Sequence, residues 1–486
     1  MCQVEEEYSD QLETRRTARC PGCASLNITL IVSACRGCFR DHFVHKFRAT
    51  LGKNRVIFPG EKVLLAISGG PASCSMLAQV QQGLSKDAPK KLRFVPGIVY
   101  IDEGCVTGQS AEERQRTSTQ LELIFRATGY PFFIVHLEQV FCLPGAVLEA
   151  TCSVPVRSEG DYKAAVNRFI ESSRACLLSQ LDTQDLPSGL LPFDRQLTGV
   201  LQKLFDAVKT LTAKEDLLHT LRQHLIVHTA RTHGYSKVMM GDSCSRLAVK
   251  LLSSICQGRG ASLAADTGFC DLRYGDIGIV RPMRDYSSKE IAFYNRMFGV
   301  PSLFIPGLDT KTPDKASIQR LTESFVTRLQ ADFPSTVSTI YRTSEKLQTS
   351  GGTHSADAEP AGKCLLCMCA LDTKLEEASA FHATLVSEKL SQKQITKSPA
   401  ADWVPDGQCC SRIDYVCGME TPTSTDLKSL LCYSCRLTIQ DMSAAEFLPP
   451  YIMAEAERRM RRSQMEEEIA AFLLPEDDAE DREEVS

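Results

Sequence analysis

The run Ser68-Gly69-Gly70-Pro71-Ala72-Ser73 follows the apolar stretch Val63–Ile67. A buried strand that feeds a Gly-Gly turn and then a helix aims bare backbone N–H groups at one point, a geometry suited to a phosphate. Ser68, Gly69, Gly70 and Ser73 are therefore candidate nucleotide contacts. An enzyme that splits ATP at such a turn usually has an acid in it to manage metal and pyrophosphate. Ala72 stands there instead, which argues against ATP with magnesium as a working cofactor of this chain. Two further turns follow apolar runs: Tyr100-Ile101-Asp102-Glu103-Gly104, which adds Asp102 to the candidate site, and Gly241-Asp242-Ser243-Cys244. The plain alternative is three ordinary strand-to-helix turns.

The cysteines suggest metal. Cys20-x-x-Cys23 and Cys35-x-x-Cys38 are two knuckles with eleven residues between them. Each knuckle presents two thiolates from one tight turn, so the pair closes a tetrahedral four-sulfur site with no open position, which is structural zinc. Cys364-x-x-Cys367 and Cys432-x-x-Cys435 repeat the pattern across 64 residues, with Cys369, Cys409, Cys410 and Cys417 as competing ligands. Unligated thiols are the alternative for both sets. Cys74, Cys105 and Cys244 each follow one of the three turns and are either sulfur-handling thiols or small packing residues. His224 and His228, four apart on an expected helix, face one way but have no carboxylate at a metal-site spacing.

Strand-then-helix repetition must position these residues. Val63–Ile67, Phe94–Ile101, Phe132–Leu137, Lys237–Met240 and Ile277–Val280 read as strands. Helices are expected near 73–83, 110–128, 245–256 and 287–298. This alternation implies an α/β fold with a doubly wound parallel sheet, and ligands in such sheets sit at the C-terminal strand ends. The expected organisation is a zinc module and basic segment over 1–50, and an α/β domain over 51–345 with an insertion near 143–212. A linker over 346–363, a cysteine-rich zinc module over 364–440, and a helix with an acidic tail over 441–486 complete it.

Apolar content of 43% and charged content of 24% are ordinary for a globular protein. The net charge of -5 is unevenly spread. Arg36, Arg40, Lys46, Arg48, Lys53, Arg55 and Lys62 face only Asp41 and Glu61, whereas Glu476–Glu484 is almost wholly acidic. Arg40, Lys46, Arg48, Lys53 and Arg55 are candidate contacts to a nucleic-acid backbone; a solvated face is the alternative. No stretch reaches the roughly 18 apolar residues of a membrane span, and the acidic start lacks the features of a signal peptide. A cytoplasmic protein with no membrane partner is expected, with its 21 cysteines as ligands and reduced thiols.

The order of knuckles, S-G-G-x-x-S loop, D-E-G, Gly258-Arg259-Gly260, Arg281-Pro282-Met283-Arg284 and C-terminal knuckles resembles the ATP-pyrophosphatase-type tRNA 2-thiolation proteins, over roughly Cys20 to Cys435. Tracts such as Phe43–Ala49, Phe58–Lys62 and Pro334–Val337 look most like the second subunit of the cytosolic complex. The resemblance implies a homologous catalytic partner, tRNA as substrate, and 2-thiolation of the wobble uridine of lysine, glutamine and glutamate tRNAs. Sulfur would arrive as the thiocarboxylate of a ubiquitin-related carrier. Active members carry S-G-G-x-D-S where this chain has Ala72, and G-H-N-x-D-D where it has Gly241–Arg246. They also carry a C-x-x-C where counting back from Ala230-Arg231 gives Glu215 and Leu218, and a third cysteine near Phe304–Gly307. These departures imply a subunit without catalytic residues of its own. The alternatives are a self-sufficient ATP-dependent tRNA sulfurtransferase and a zinc-scaffolded interaction protein with no tRNA role.

Overall fold

The computed structural model describes residues 35–85, 91–149, 194–310, 312–343, 362–371 and 426–470, with a few isolated positions besides. Helix α1 (Arg36–Asn54) opens the described chain, with Cys35 as its N-cap accepting from the Cys38 N–H at 3.4 Å. Phe39, Phe43 and Phe47 recur every fourth residue and give α1 one buried stripe. Strand β1 (Lys62–Ala66) follows, then α2 (Pro71–Leu84), β2 (Val95–Asp102), α3 (Ala111–Arg126) and β3 (Phe132–His136). A reciprocal cap between Ser110 and Glu113 starts α3. Helices α4 (Arg195–Ala207) and α5 (Leu211–Thr232) lead into β4 (Lys237–Met240). Then come α6 (Cys244–Cys256), α7 (Leu263–Thr267), β5 (Cys270–Tyr274), β6 (Ile277–Val280), α8 (Ser288–Phe298), α9 (Ile318–Asp332) and α10 (Pro334–Thr343). Helices α11 (Tyr433–Gln440) and α12 (Pro450–Ala470) complete the set.

The sheet order is β3-β2-β1-β4-β6-β5. Five strands are parallel, and β5 pairs antiparallel with β6. The expected parallel, doubly wound sheet is therefore a mixed one with an antiparallel edge. All five strands expected from the sequence are present within a residue or so, and β5 is the addition. Its residues Asp271 and Arg273 break the apolar run that marks the others. Gly275, at φ +73°, and Asp276 form the two-residue connection between β5 and β6, a hairpin signal of the Gly-Asp type.

Side chains alternate across the sheet with period two. Leu64, Val99, Ile101, Val238 and Ile279 face a core built with α4 and α5. Val63, Leu65, Ile67, Ile98 and Tyr100 face the other, built with α1, α2 and α8. A smaller core joins α6, α9 and α10. The first core also takes in Cys364, Leu365, Leu366, Cys435, Ile439, Tyr451 and Ile452, so the C-terminal cysteine segments pack directly on the sheet's helices. Of the expected insertion, residues 150–164 and 167–193 lie outside the described residues. Its end does not: Leu201, Leu204 and Phe205 of α4 are buried in the first core.

Candidate functional site

β1 has β2 on one side and β4 on the other, and the chain winds away from it in both directions. That is the switch point where a parallel sheet opens a crevice. The loop Ser68–Ser73 leaves β1 there. Gly69 takes φ +78°, and Gly70 caps α2. Ser68 and Ser73 hydroxyls lie 3.2 Å apart, and Ser73 Oγ also donates to Gly70 O at 3.1 Å. A Cβ on Gly241, after β4, would come within 2.8 Å of Ser73 Cα, so the β1 and β4 loops touch backbone to backbone. A Cβ on Gly69 would come within 2.8 Å of Ile305 Cδ1, and Gly69 O accepts from Leu303 N at 2.8 Å. The Leu303–Ile305 segment thus closes against the loop with an apolar side chain.

The acids at the strand ends are all engaged. Asp102 is 3% exposed. It accepts from Arg114 Nε at 2.8 Å, His136 Nδ1–H at 3.0 Å and the Gly104 N–H at 3.0 Å. Arg114 forks onto Glu138 as well, at 2.7 and 3.0 Å. Burial would raise the Asp102 carboxyl, but the His136 bond, the Arg114 charge and the Gly104 N–H outweigh it and hold it below the usual range. Glu103 is paired with Arg222 of α5, and Asp242 lies 3.3 Å from Arg281 Nε. With Ala72 in the loop and these carboxylates paired to arginines, the residues present do not fit a magnesium-loaded ATP.

The three candidate thiols do not converge. Cys105 is buried in the core on one sheet face, Cys74 in the core on the other, and Cys244 in the third core. Burial pushes the Cys74 and Cys244 thiols up to about 11 and raises Cys105 further. A persulfide or metal–sulfur bond needs thiolate, and burial disfavours that form at all three positions. His224 and His228 do not pair either. His224 Nε2–H donates to Leu366 O at 2.8 Å, and its Nδ1 accepts from Tyr451 OH at 2.6 Å. Burial lowers it to about 4, so it is a neutral tie between α5, the Cys364 knuckle and α12.

Among the described residues, one group has metal-ligand spacing. The Sγ atoms of Cys364, Cys367, Cys432 and Cys435 lie within 4.8 Å of one another, and those of Cys367 and Cys432 are 3.6 Å apart. Tetrahedral zinc with bonds near 2.3 Å places its sulfurs about 3.8 Å apart, so the four fit one metal ion. Cys432 caps α11 and Cys435 lies in its first turn. The Cys432 N–H donates to Cys364 Sγ at 3.3 Å. Cys369 is outside the group and accepts from Arg273 Nη1 at 2.9 Å. Arg259, from the Gly-Arg-Gly tract, donates to Ser434 Oγ at 2.9 Å and pairs with Asp216, joining α5 to α11. Of the N-terminal set, Cys20 and Cys23 lie outside the described residues, as do Cys409, Cys410 and Cys417.

The basic residues of α1 divide. Arg40 and Arg48 line a groove between α1 and the segment before β2. Lys46 points the other way, 3.3 Å from Glu290 and over the Tyr286 ring. Lys53 lies in the last turn of α1, and Arg55 follows with φ +47°. Sequence reasoning missed Lys91 and Arg93 on the groove's far wall.

A curated protein of Danio rerio, "Cytoplasmic tRNA 2-thiolation protein 2", is 59% identical to this chain, covering 98% of it and 100% of the relative. The chain belongs to this family. Relatives of the same name from Xenopus tropicalis and Homo sapiens are 48% and 46% identical, covering 98% and 99% of this chain and 99% of each relative. The family's profile, described as "Cytoplasmic tRNA 2-thiolation protein 2", matches residues 317–437. Among solved structures, "U34-tRNA thiolase NcsA from Methanococcus maripaludis with its 4Fe-4S cluster" aligns with a TM-score of 0.47 and 13% identity, over 77% of this chain and 97% of that one. As a member of the family, the chain is matched along its whole length by relatives named as cytoplasmic. No described helix is long and apolar enough to cross a membrane.

Proposed function

We propose that this chain acts in 2-thiolation of the wobble uridine of lysine, glutamine and glutamate tRNAs, as a subunit that does no sulfur chemistry itself. Family membership supports the reaction. The observation that supports the division of labour is the strand-end edge: Ala72 replaces the loop acid, while Asp102, Glu103 and Asp242 are each paired with arginine. A homologous partner with an intact loop and accessible cysteines would activate the uridine and take sulfur from a ubiquitin-related thiocarboxylate. This chain would hold tRNA and complete the assembly. Zinc on Cys364, Cys367, Cys432 and Cys435 would fix the C-terminal segments against α5, with a second zinc on Cys20, Cys23, Cys35 and Cys38.

The test has two arms. Purified chain is assayed for tRNA-dependent pyrophosphate release alone and together with its co-purified partner. In cells lacking the chain, Cys74→Ser, Cys105→Ser and Cys244→Ser variants are scored for thiolated tRNA on mercury-containing gels. Turnover only with the partner, and thiolation restored by each variant, is the expected result. Pyrophosphate release by the chain alone, or a well-folded cysteine variant that restores no thiolation, would refute the non-catalytic reading.

A further inference from the structure

A groove of about 890 Å³ runs between α1 and the segment Lys91–Phe94. Pro59 and Phe94, which line it, precede β1 and β2, so it opens at the opposite sheet edge from the Gly-Gly loop. One wall carries Arg40 and Arg48, eight residues and therefore about 12 Å apart along the helix. The other carries Lys91 and Arg93. Asp41 is the one acid in the lining, and Val44, Leu51, Ile57 and Phe94 form an apolar floor.

The second wall is held by backbone. Leu92 N donates to Gly83 O at 2.8 Å, Gly60 N to Arg93 O at 2.7 Å, and Val95 N to Glu61 O at 2.8 Å. Leu92 packs so closely on Gly83 that a Cβ there would come within 2.4 Å of it. Lys91 and Arg93 are both exposed, as is Arg40. Ordered walls thus present cations from both sides of one cleft.

We infer that this groove seats the sugar–phosphate backbone of an RNA, with cations on both walls contacting phosphates and the apolar floor taking sugar or base faces. The inference rests on the thiolation reading, which supplies tRNA as the polyanion. Four cations against one acid match a ligand with a charge at every residue, and their spacing along α1 spans more than one phosphate. Such contacts set affinity and register without reading sequence.

The experiment uses the full chain and an unmodified lysine tRNA transcript, with fluorescence anisotropy over a range of salt. Two paired variants are compared, Arg40→Ala/Arg48→Ala and Lys91→Ala/Arg93→Ala. The second changes only exposed side chains, so it tests the groove even where the helix pair disturbs folding. Arg116→Ala/Arg328→Ala is the charge-matched control on other surfaces. Each groove pair is expected to weaken binding about tenfold and to flatten the log K against log salt slope by roughly 1.4, two lost contacts at about 0.7 each, while the control stays within about twofold. Groove pairs that match the control in affinity and slope overturn the assignment, provided that the unsubstituted chain binds tRNA. Poly-glutamate displacing tRNA better than an unrelated RNA of equal charge would also overturn it, in favour of an acidic protein partner. Failure of the unsubstituted chain to bind any RNA, together with intact wobble thiolation in cells lacking it, would refute the thiolation reading itself.

Discussion

Asp102→Ala separates two roles for an acid at the end of a parallel strand. As a nucleotide or metal contact, its loss would leave stability alone. The structure predicts the reverse. The substitution removes the acceptor for Arg114 Nε, for the buried Gly104 N–H and for His136. A charge-assisted bond is worth about 1.5–3 kcal/mol, and stranding a buried backbone donor costs a further 1–3 kcal/mol or so. Glu138 still pairs with Arg114, which avoids the larger penalty of an isolated buried charge. The expected loss is about 3–5 kcal/mol, or roughly 6–10 °C in Tm at about 2 °C per kcal/mol for a large chain. The pH dependence has a definite sign. Because the folded carboxyl sits below its ordinary value, its stabilisation is present above about pH 4, the unfolded value, and fades as pH falls through the folded one. The gap between wild type and Asp102→Ala, followed by thermal unfolding, should therefore be wide at neutral pH and narrow in strong acid. A Tm within about 2 °C of wild type at neutral pH, far below that expectation, combined with lost ATP binding, would refute the structural role.

Alkylation by iodoacetamide at mildly alkaline pH should label exposed Cys142 and Cys256 well before Cys74 and Cys244, whose thiols are raised to about 11; mass spectrometry of the digested protein reads the order. Cys435→Ser should lower the zinc content by about one ion per chain and destabilise the core shared with α5 and α12, since four thiolates close a structural site; metal analysis with unfolding checks both. Glu215 is raised to about 7, chiefly by burial, against the opposing effect of a bond from the Ser317 hydroxyl. Its neutral form stabilises the fold below its unfolded value, and that benefit is lost as pH rises through about 7. Glu215→Gln should therefore raise Tm relative to wild type at alkaline pH and make little difference in mild acid. Gly241→Ala should be destabilising, because its Cβ meets the Ser73 and Ala72 backbone, which cannot swing aside as a side chain would.

The strands were legible because a strand buried on both faces needs apolar residues at nearly every position, as Val63-Leu64-Leu65 shows. The cysteine group was legible for a similar reason, since two knuckles leave thiolates few other arrangements. β5 was hidden because Asp271 and Arg273 serve ion pairs with Arg281 and Asp266 at the sheet edge, so its composition follows electrostatics more than burial. The engagement of Asp102 was hidden by distance along the chain: Arg114 lies 12 residues on and His136 lies 34 residues on. His136 meets it because β2 and β3 are neighbours in parallel register, with Asp102 opposite His136, and Arg114 reaches it from α3, the helix between those strands. From sequence, an acid after a strand reads as an outward group facing a crevice. Here the same parallel pairing that builds the crevice delivers His136 beside the acid and turns it inward. The fold that makes a nucleotide site possible thus also supplies the means of disabling one, and the test of which has happened lies in the partners of the carboxylate rather than in its position.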